Sequence, residues 1–285
     1  MLSLALQILF GAGFNVGVKA ASIRKRDMIY VGGLNYIAAA ILCSAWLAGR
    51  YFIGGGAVSV GRSGAVFGTL NGIGYFSAYF FLVKGIQHQG LAATRAVGGL
   101  AVLLPVLASM LVWGEQPSVA QGVGALVAAF SAALLDARRN LLGEIKRGMW
   151  IQMFIFFMLS GGSRVAAKAF NEADAPDEKL FYTLMVYVSS GLFSVVMLAF
   201  HKRKPRAEEF LWGICIGACN MLQVIFMLRA LEEIPGIIMF PTAAAGGLIV
   251  SSLSAAALGE RPSGRVWSGV GASAAAVILL NWKQG

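Results

Sequence analysis

Charged residues are scarce in this sequence, and so are cysteines. Only 13% of the residues are charged, against roughly 25% in soluble domains. The three cysteines all lie in apolar stretches, which excludes a disulfide framework and a cysteine zinc site. No GxxxxGK[ST] loop occurs, which argues against ATP-driven pumping. These shortages exclude a disordered chain, a coiled coil and an ordinary cytosolic enzyme.

Apolar residues and glycine are abundant instead. The 285 residues are 58% hydrophobic and include 36 glycines. A membrane-spanning helix needs roughly 20 mostly apolar residues. Ten stretches qualify, which we number as spans one to ten: about 2–22, 28–48, 64–84, 91–113, 119–136, 149–170, 180–200, 210–230, 236–258 and 265–282. The sequence therefore predicts an all-α integral membrane protein with ten transmembrane helices and no loop long enough for a soluble domain.

The two halves of the sequence resemble each other at an offset of 145 residues, as from Gly114 to Gly259. The segment 114–118, Gly-Glu-Gln-Pro-Ser, falls on 259–263, Gly-Glu-Arg-Pro-Ser. Because five spans per half is an odd number, the second half enters the membrane upside down. Inverted repeats underlie many secondary transporters, which bind substrate near the midplane. The predicted organisation is two inverted five-helix repeats, over residues 1–137 and 149–285, with a linker over 138–148.

Two motifs resemble those of a known family. The run Gly13-Phe14-Asn15-Val16-Gly17-Val18-Lys19 is similar to the opening helix of the EamA family, and Gly-Glu-x-Pro-Ser follows spans four and nine as it does there. Asn35-Tyr36 departs from the Leu-Arg that many members carry. The resemblance covers the whole chain. It implies a member of the drug/metabolite transporter superfamily that moves small metabolites, often exporting amino acids or similar solutes, without chemistry.

Ionisable residues at membrane depth are costly and mark candidate sites. For Lys19 and Arg95, near the ends of spans one and four, substrate binding and an interfacial position are equal alternatives. Arg164 lies deeper, which favours binding, and Lys168 is predicted to be interfacial. No acidic residue falls in the middle of a span, which argues against proton-coupled export of lipophilic cations. Buried cations favour a substrate with a carboxylate or phosphate.

Neutral polar residues extend this site. Asn71, Tyr75 and Tyr79 share one face of span three, and Asn220 and Gln223 share a face of span eight. The alternative role for each of these residues is a hydrogen bond between helices. The same alternatives apply to Asn15, Asn35 and Tyr36, for which substrate binding is less expected. The predicted substrate-binding set is Lys19, Arg164, Arg95, Asn15, Asn71, Tyr75, Tyr79, Asn220 and Gln223.

Glycine and proline residues have two predicted roles. Within spans four and nine they predict bending and gating, at Gly98, Gly99, Pro105, Pro241, Gly246 and Gly247. The small-residue pairs Gly13/Gly17, Gly68/Gly72 and Gly213/Gly217 predict close helix packing instead. Glu115 and Glu260 are predicted to be structural residues of two equivalent turns.

Basic residues concentrate in alternate loops: Arg24, Lys25, Arg26, Arg138, Arg139, Lys146, Arg147, Lys202, Arg203, Lys204, Arg206, Arg261 and Arg265. By the positive-inside rule these loops are cytoplasmic, which places both termini outside. The family is generally described with both termini inside, so the two expectations disagree. We follow the charge bias of this sequence and predict a multi-pass protein of the bacterial inner or plasma membrane.

The leading prediction is a secondary, non-ATP transporter working by alternating access. Its substrate is predicted to be a small polar metabolite, anionic or zwitterionic, such as an amino acid or an organic or phosphorylated acid. The alternatives are a non-transporting receptor or scaffold and an exporter of cationic drugs. No catalytic set or metal-ligand cluster emerges, so we predict no enzyme, no cofactor and no metal. The expected partners are the metabolite and membrane lipid, without nucleic acid, for a monomer or homodimer.

Overall fold

The computed structural model describes residues 1–53, 59–89, 91–135, 147–173, 175–201, 203–257 and 263–282. All regular secondary structure in this part of the chain is helical. The helices are α1 (Leu2–Ile23), α2 (Met28–Phe52), α3 (Arg62–Gln89), α4 (Leu91–Leu100), α5 (Leu103–Leu111), α6 (Val119–Leu135), α7 (Trp150–Glu172), α8 (Lys179–Ala199), α9 (Ala207–Glu233), α10 (Gly236–Ala257) and α11 (Gly264–Leu280). Single 3-10 turns, Arg147–Met149 and Pro176–Glu178, precede α7 and α8. Among the described residues, seven helices are long and apolar enough to cross a membrane, and three shorter apolar helices accompany them.

The predicted fourth span is two helices rather than one. The helix breaks at Ala101-Val102, between α4 and α5. Pro105 has no amide hydrogen to give to the carbonyl of Ala101, and glycines just before the break weaken the helix further. The equivalent α10 runs unbroken through Pro241. Pro241 is the sixth residue of α10, and its missing amide hydrogen removes one bond, to the carbonyl of Ile237.

The two ends of the bundle differ in charge. At one end Glu178 accepts a hydrogen bond from the amide of Gly64, at the start of α3, and Lys179 pairs with Glu232. We call this the acidic end, because it carries Glu115, Glu172, Asp177, Glu178, Glu232 and Glu233. The opposite, basic end carries Arg24, Lys25, Arg26, Arg203, Lys204 and Arg206.

Close glycine contacts set the direction in which neighbouring helices pack. A Cβ added at Gly68 would lie 2.7 Å from the carbonyl oxygen of Tyr182, and one at Gly72 would overlap that of Val186. Because both residue numbers rise together, α3 and α8 run parallel. Gly213 and Gly217 contact α2 in the same way, against Leu34 and the carbonyl of Asn35, so α9 and α2 are parallel too. The packing role predicted for these glycines is confirmed.

Other neighbours run antiparallel. On α1, Gly13 meets Cys219 whereas Gly17 meets Ile216 of α9. In α2 and α8, Gly33 lies against Leu198 and Gly191 lies near Tyr36. In α6 and α11, Gly124 lies against Leu280 whereas Ser131 accepts a hydrogen bond from Ser273. A core of buried side chains joins α2, α3, α8 and α9 at the centre of the bundle: Tyr36, Tyr79, Phe170, Tyr182, Val186, Tyr187, Met221, Val224 and Leu228.

A charged network ties the basic end together. Asp27 accepts a hydrogen bond from the amide of Ile29 (2.9 Å), which caps α2, and its other oxygen lies 2.9 Å from His201 Nε2. Burial alone would raise the pKa of Asp27, but the hydrogen bonds from His201 and Ile29 outweigh it and hold that pKa below its usual value. Asp27 is therefore ionised at neutral pH, and it links the α1–α2 connection to the residues after α8.

We predict that Gly72→Ala destabilises the protein and that Gly74→Ala does not. The added methyl at residue 72 overlaps the backbone of α8, whereas nothing lies within 4 Å of Gly74 on the same helix. Overpacking of this kind costs about 1–3 kcal/mol, whereas Ala at an open helical position gains about 1 kcal/mol over Gly. Unfolding of purified protein in lipid–detergent micelles measures both. Equal losses for the two variants would show that α3 and α8 do not pack as described.

Candidate functional site

Asn220 is the centre of a polar cluster in the middle of the bundle. It is fully buried in α9. Its Oδ1 accepts hydrogen bonds from Gln223 Nε2 (2.8 Å) and from the Tyr75 hydroxyl (3.4 Å). Its Nδ2 donates to Asn35 Oδ1 (3.1 Å), and its backbone carbonyl accepts from the Tyr187 hydroxyl (2.6 Å). One asparagine thus connects α2, α3, α8 and α9.

Tyr75 and Asn220 are equivalent positions in the two halves of the sequence. Their separation is 145 residues, the offset of the internal repeat, and their side chains touch. Each lies near the middle of its helix, α3 or α9. Equivalent residues can meet only where the two halves face each other. The contact therefore marks the boundary between the halves at mid-depth in the bundle.

Arg164 lies beside this cluster, near the middle of α7. Its Nη1 donates to the Ser160 carbonyl (3.0 Å) and to the Ser160 hydroxyl (3.4 Å), one turn earlier on the same helix. The Tyr75 side chain lies near the guanidinium. Among the ion pairs of the described residues, none includes Arg164. A cation at membrane depth without a carboxylate partner is costly unless an anion is supplied.

Lys168, one turn further along α7, has a different environment. Its side chain is buried, and its ammonium lies 2.8 Å from Glu115 and 2.5 Å from Glu172, at the acidic end. The ring of Trp113 lies 5.8 Å from that ammonium. Lys168 is therefore neutralised by carboxylates of the protein itself. The contrast leaves Arg164 as the stronger candidate for binding an external anion.

Asn15 and Lys19 lie on the half of α1 that is nearer the basic end. They share a face of α1 with Ile8, and Ile8 is packed so closely on Gly246 of α10 that a Cβ there would come within 2.6 Å. Further along the same face Asn15 is exposed and Lys19 half-buried, and no residue of 247–254 in α10 is buried. Beyond Gly246, α10 is therefore less buried than it is before that residue. Lys19 also has an interaction of its own with the protein.

The repeat relates this pair to Arg164. Asn15 and Lys19 fall on Ser160 and Arg164 at the 145-residue offset that separates Tyr75 from Asn220. In each half a small polar residue precedes a cation by one helical turn. The cation of the first half lies towards the basic end, and that of the second half lies close to the centre.

The predicted polar face of span three is buried, and it divides by role. Asn71 donates to the Tyr182 hydroxyl (2.6 Å), and the Tyr79 hydroxyl donates to the carbonyl of Met28. Tyr79 occupies the space that a side chain at Gly32 would need. These two residues hold α3 to its neighbours, which is the structural alternative stated for them. Tyr75, between them, is the member that bonds to Asn220, and it lies near Arg164.

The remaining predicted residues are less well defined by their contacts. Arg95 lies in α4, and its side chain is outside the described part of the structure. Gly98 faces Phe156 of α7, and a Cβ at Gly246 would press on Ile8. Gly98 and Gly99 lie in the last turn of α4, just before the break. Pro105 lies in the first turn of α5, just after it. Gly247 has open space around it, and Pro241 is buried in α10.

Sequence reasoning gave too little weight to Asn35 and overlooked two glutamines. Asn35 accepts a hydrogen bond from Asn220, which places it inside the central cluster. Gln7 Oε1 and Gln152 Nε2 are buried and make no hydrogen bond within the described residues. Gln7 and Gln152 are also related by the 145-residue offset. A search for polar residues shared by both halves would have found this pair.

A separate cavity of about 280 Å³ lies at the acidic end, lined by Phe170, Asn171, Glu172, Ala175, Lys179, Leu231 and Glu232. Phe170 and Leu231 are buried, so they close the cavity on its inner side. None of the predicted binding residues lines it. It is therefore distinct from the central cluster around Asn220.

Comparison with known proteins identifies the family of the second half. The sequence model of the EamA-like transporter family matches residues 148–282, which contain α7 to α11. The match lies in the second half of the chain and includes the second copy of the Gly-Glu-x-Pro-Ser motif. It confirms the resemblance to the family for this half.

The fold of the whole chain is similar to that of a solved structure. A solved structure described as "Crystal structure of protein" superposes with a TM-score of 0.76 at 16% identity, and the match covers 98% of this chain and 95% of that one. At this identity the similarity concerns the fold alone. No curated protein matches the sequence.

We predict that Asn220→Ala lowers stability by about 1–3 kcal/mol, because it leaves Tyr75, Gln223 and Asn35 without their partner inside the membrane. Ser44→Ala is the control, since Ser44 is exposed and bonds only to a carbonyl of its own helix. Thermal unfolding in lipid–detergent micelles compares the two. If Asn220→Ala unfolds at the same temperature as Ser44→Ala, the cluster does not hold the four helices together.

Proposed function

We propose that this protein is a secondary transporter of a small anionic or zwitterionic metabolite, working by alternating access. The observation that carries the proposal is Arg164. It is a cation near the middle of α7, without a carboxylate partner among the described residues, and it adjoins the Tyr75–Asn220 contact between the halves. A substrate carboxylate or phosphate would supply the missing negative charge.

Inverted symmetry of the two halves, residues 1–137 and 149–285 about a linker, is part of the proposal. Under the repeat, α1, α2, α3 and α6 correspond to α7, α8, α9 and α11. Equivalent helices α2 and α8 pack antiparallel, as do α6 and α11. The parallel pair α3–α8 corresponds to the parallel pair α9–α2, and both use glycines at equivalent positions. A two-fold axis in the membrane plane gives this pattern, whereas an axis along the membrane normal would make equivalent helices parallel.

The charge distribution supports an anionic group on the substrate. The acidic side chains of the described residues lie at helix ends or in connections. A proton-coupled exporter of lipophilic cations would need a carboxylate near the centre, where this chain has Arg164, Tyr75 and Asn220. The substrate is therefore proposed to be attracted by Arg164 and positioned by neutral hydroxyl and amide groups.

We predict that Arg164→Ala lowers the flux of the transported anion at least about tenfold, because the site then loses the positive charge that Arg164 supplies. Flux is measured in proteoliposomes without ATP, against a panel of labelled amino acids, organic acids and phosphorylated compounds. Arg50→Ala is the matched control, since Arg50 is exposed at the end of α2.

The same panel separates the alternatives. Wild-type flux of an anion that survives in Arg164→Ala would contradict an anion site at this residue. Binding of a solute without flux would replace the transporter by a receptor, and flux of lipophilic cations alone would replace the anionic substrate.

We also propose that the basic end faces the cytoplasm of a bacterial cell, which places both termini outside. A reporter that is active only outside the cytoplasm, fused after Gly285, should be active. The same fusion on a variant with Arg24, Lys25, Arg203 and Arg206 changed to Gln should lose part of that activity, because the charge bias is reduced. Activity of a cytoplasm-specific reporter at the wild-type C-terminus would reverse the proposed orientation.

A further inference from the structure

Two neighbouring cations at the basic end differ from the others there. Arg26 pairs with Glu208 (2.5 Å), and Arg203 pairs with two further carboxylates. Among the ion pairs of the described residues, none includes Arg24 or Lys25. Both side chains are exposed. The acids around them bind other cations, so Arg24 and Lys25 present two positive charges side by side on the surface.

Arg24 is held in place by an aromatic ring instead of a carboxylate. It follows the last residue of α1, and its guanidinium lies over the indole of Trp212 in α9, 5.3 Å from the ring centre. Trp212 itself packs beside Ala21, Val31 and Ile216, which fixes the ring among α1, α2 and α9. A cation over an aromatic face is attracted by the ring, while the N–H donors at its edge can still bind an acceptor. Arg24 is therefore positioned without being neutralised.

Lys25 has a backbone conformation that favours glycine. Its φ is +53°, and among the described residues it is the one non-glycine residue in the left-handed region. The amides of Lys25 and Arg26 donate to the carbonyls of Ser22 (2.9 Å) and Ala21 (3.0 Å), which ends α1. A left-handed residue with a side chain is strained, and glycine would make the same turn without that strain. Lysine at this position therefore adds a charge at a cost in stability.

The surface next to the two cations is apolar. Ile23 precedes Arg24 and Leu211 precedes Trp212, and both apolar side chains are more than 60% exposed. Tryptophan is typical of the level where lipid headgroups meet the hydrocarbon, and exposed apolar side chains on spanning helices contact acyl chains. A lipid bound here would have its headgroup beside the cations and its chains along Ile23 and Leu211. A soluble anion would contact the cations alone.

We propose that Arg24, Lys25 and Trp212 form a headgroup site for an anionic phospholipid. The lipid phosphate accepts charge-assisted hydrogen bonds from the Arg24 guanidinium and the Lys25 ammonium. A zwitterionic lipid binds more weakly, because its own amine is repelled by the same two cations. The site is separate from Arg164 and from transport. It holds the basic end of the bundle against an anionic membrane surface.

Quenching of tryptophan fluorescence by brominated lipids tests the proposal. The protein is reconstituted into phosphatidylcholine vesicles that contain increasing fractions of brominated phosphatidylglycerol or brominated phosphatidylcholine. The emission of Trp212 is the difference between the wild type and Trp212→Phe. We expect the phosphatidylglycerol to quench this emission at an about tenfold lower mole fraction, because each of two cations attracts the anionic lipid. Arg24→Gln with Lys25→Gln should remove the difference between the two lipids.

The matched control removes the same charge from the same end. Lys204 and Arg206 are exposed there, so Lys204→Gln with Arg206→Gln should change the preference for phosphatidylglycerol by less than about twofold. An equal loss of preference in both double variants would overturn the proposal, because the attraction would then belong to the basic end in general. No preference in the wild type would overturn it as well.

Two further measurements separate charge from folding and lipid from soluble anion. Lys25→Gly removes the charge and the backbone strain together, so we expect a higher unfolding temperature but a weaker lipid preference, and this variant serves if the double variant does not fold. An unchanged preference in Lys25→Gly would reject a role for that side chain and overturn the site as proposed. Inorganic phosphate, compared with sodium chloride at equal ionic strength, should leave the quenching unchanged. Displacement of the brominated phosphatidylglycerol by phosphate would replace the lipid by a soluble anion.

Discussion

Polar side chains inside a bilayer have no water to bond to, and this constraint governs the centre of the protein. Asn220 is surrounded by hydroxyl and amide groups from three other helices, and each of its polar atoms has a partner. Such a cluster fixes the relative height and rotation of the helices, because a shift of one helix leaves several groups unpaired. Apolar surface alone cannot fix the height and rotation of the helices, since lipid packs against apolar side chains as well as a neighbouring helix does.

Glycines make that cluster possible by letting the helices approach. Gly217 lies against the backbone of α2 at Asn35, which brings that residue within hydrogen-bonding distance of Asn220 one turn further on. Gly72 brings α3 equally close to α8, beside Tyr75. Close backbone packing and the polar contacts therefore depend on each other. The glycine pairs and the buried amide side chains together position these helices.

The sequence was sufficient for the positions of the helices and for the packing glycines, because both are set by local composition and spacing. It could not show which polar residues pair with one another. Asn71, Tyr75 and Tyr79 are equivalent on a helical face, yet of these three only Tyr75 bonds to Asn220, because the partner depends on which helix faces each turn of α3. Glu115 looked like a turn residue for the same reason. Its partners, Lys168 and the start of α10, are remote in sequence.

Arg164 and Lys168 lie one turn apart on α7, but their side chains have different partners. Lys168 is close to the acidic end, where Glu115 and Glu172 neutralise it, so its burial is compensated within the protein. Arg164 is further from that end, and its hydrogen bonds go to neutral oxygens of its own helix. Two cations on one helix would be paired alike if both served only to join helices. The protein supplies carboxylates to Lys168 and none, within its described residues, to Arg164, which is why we propose that Arg164 binds an anionic group.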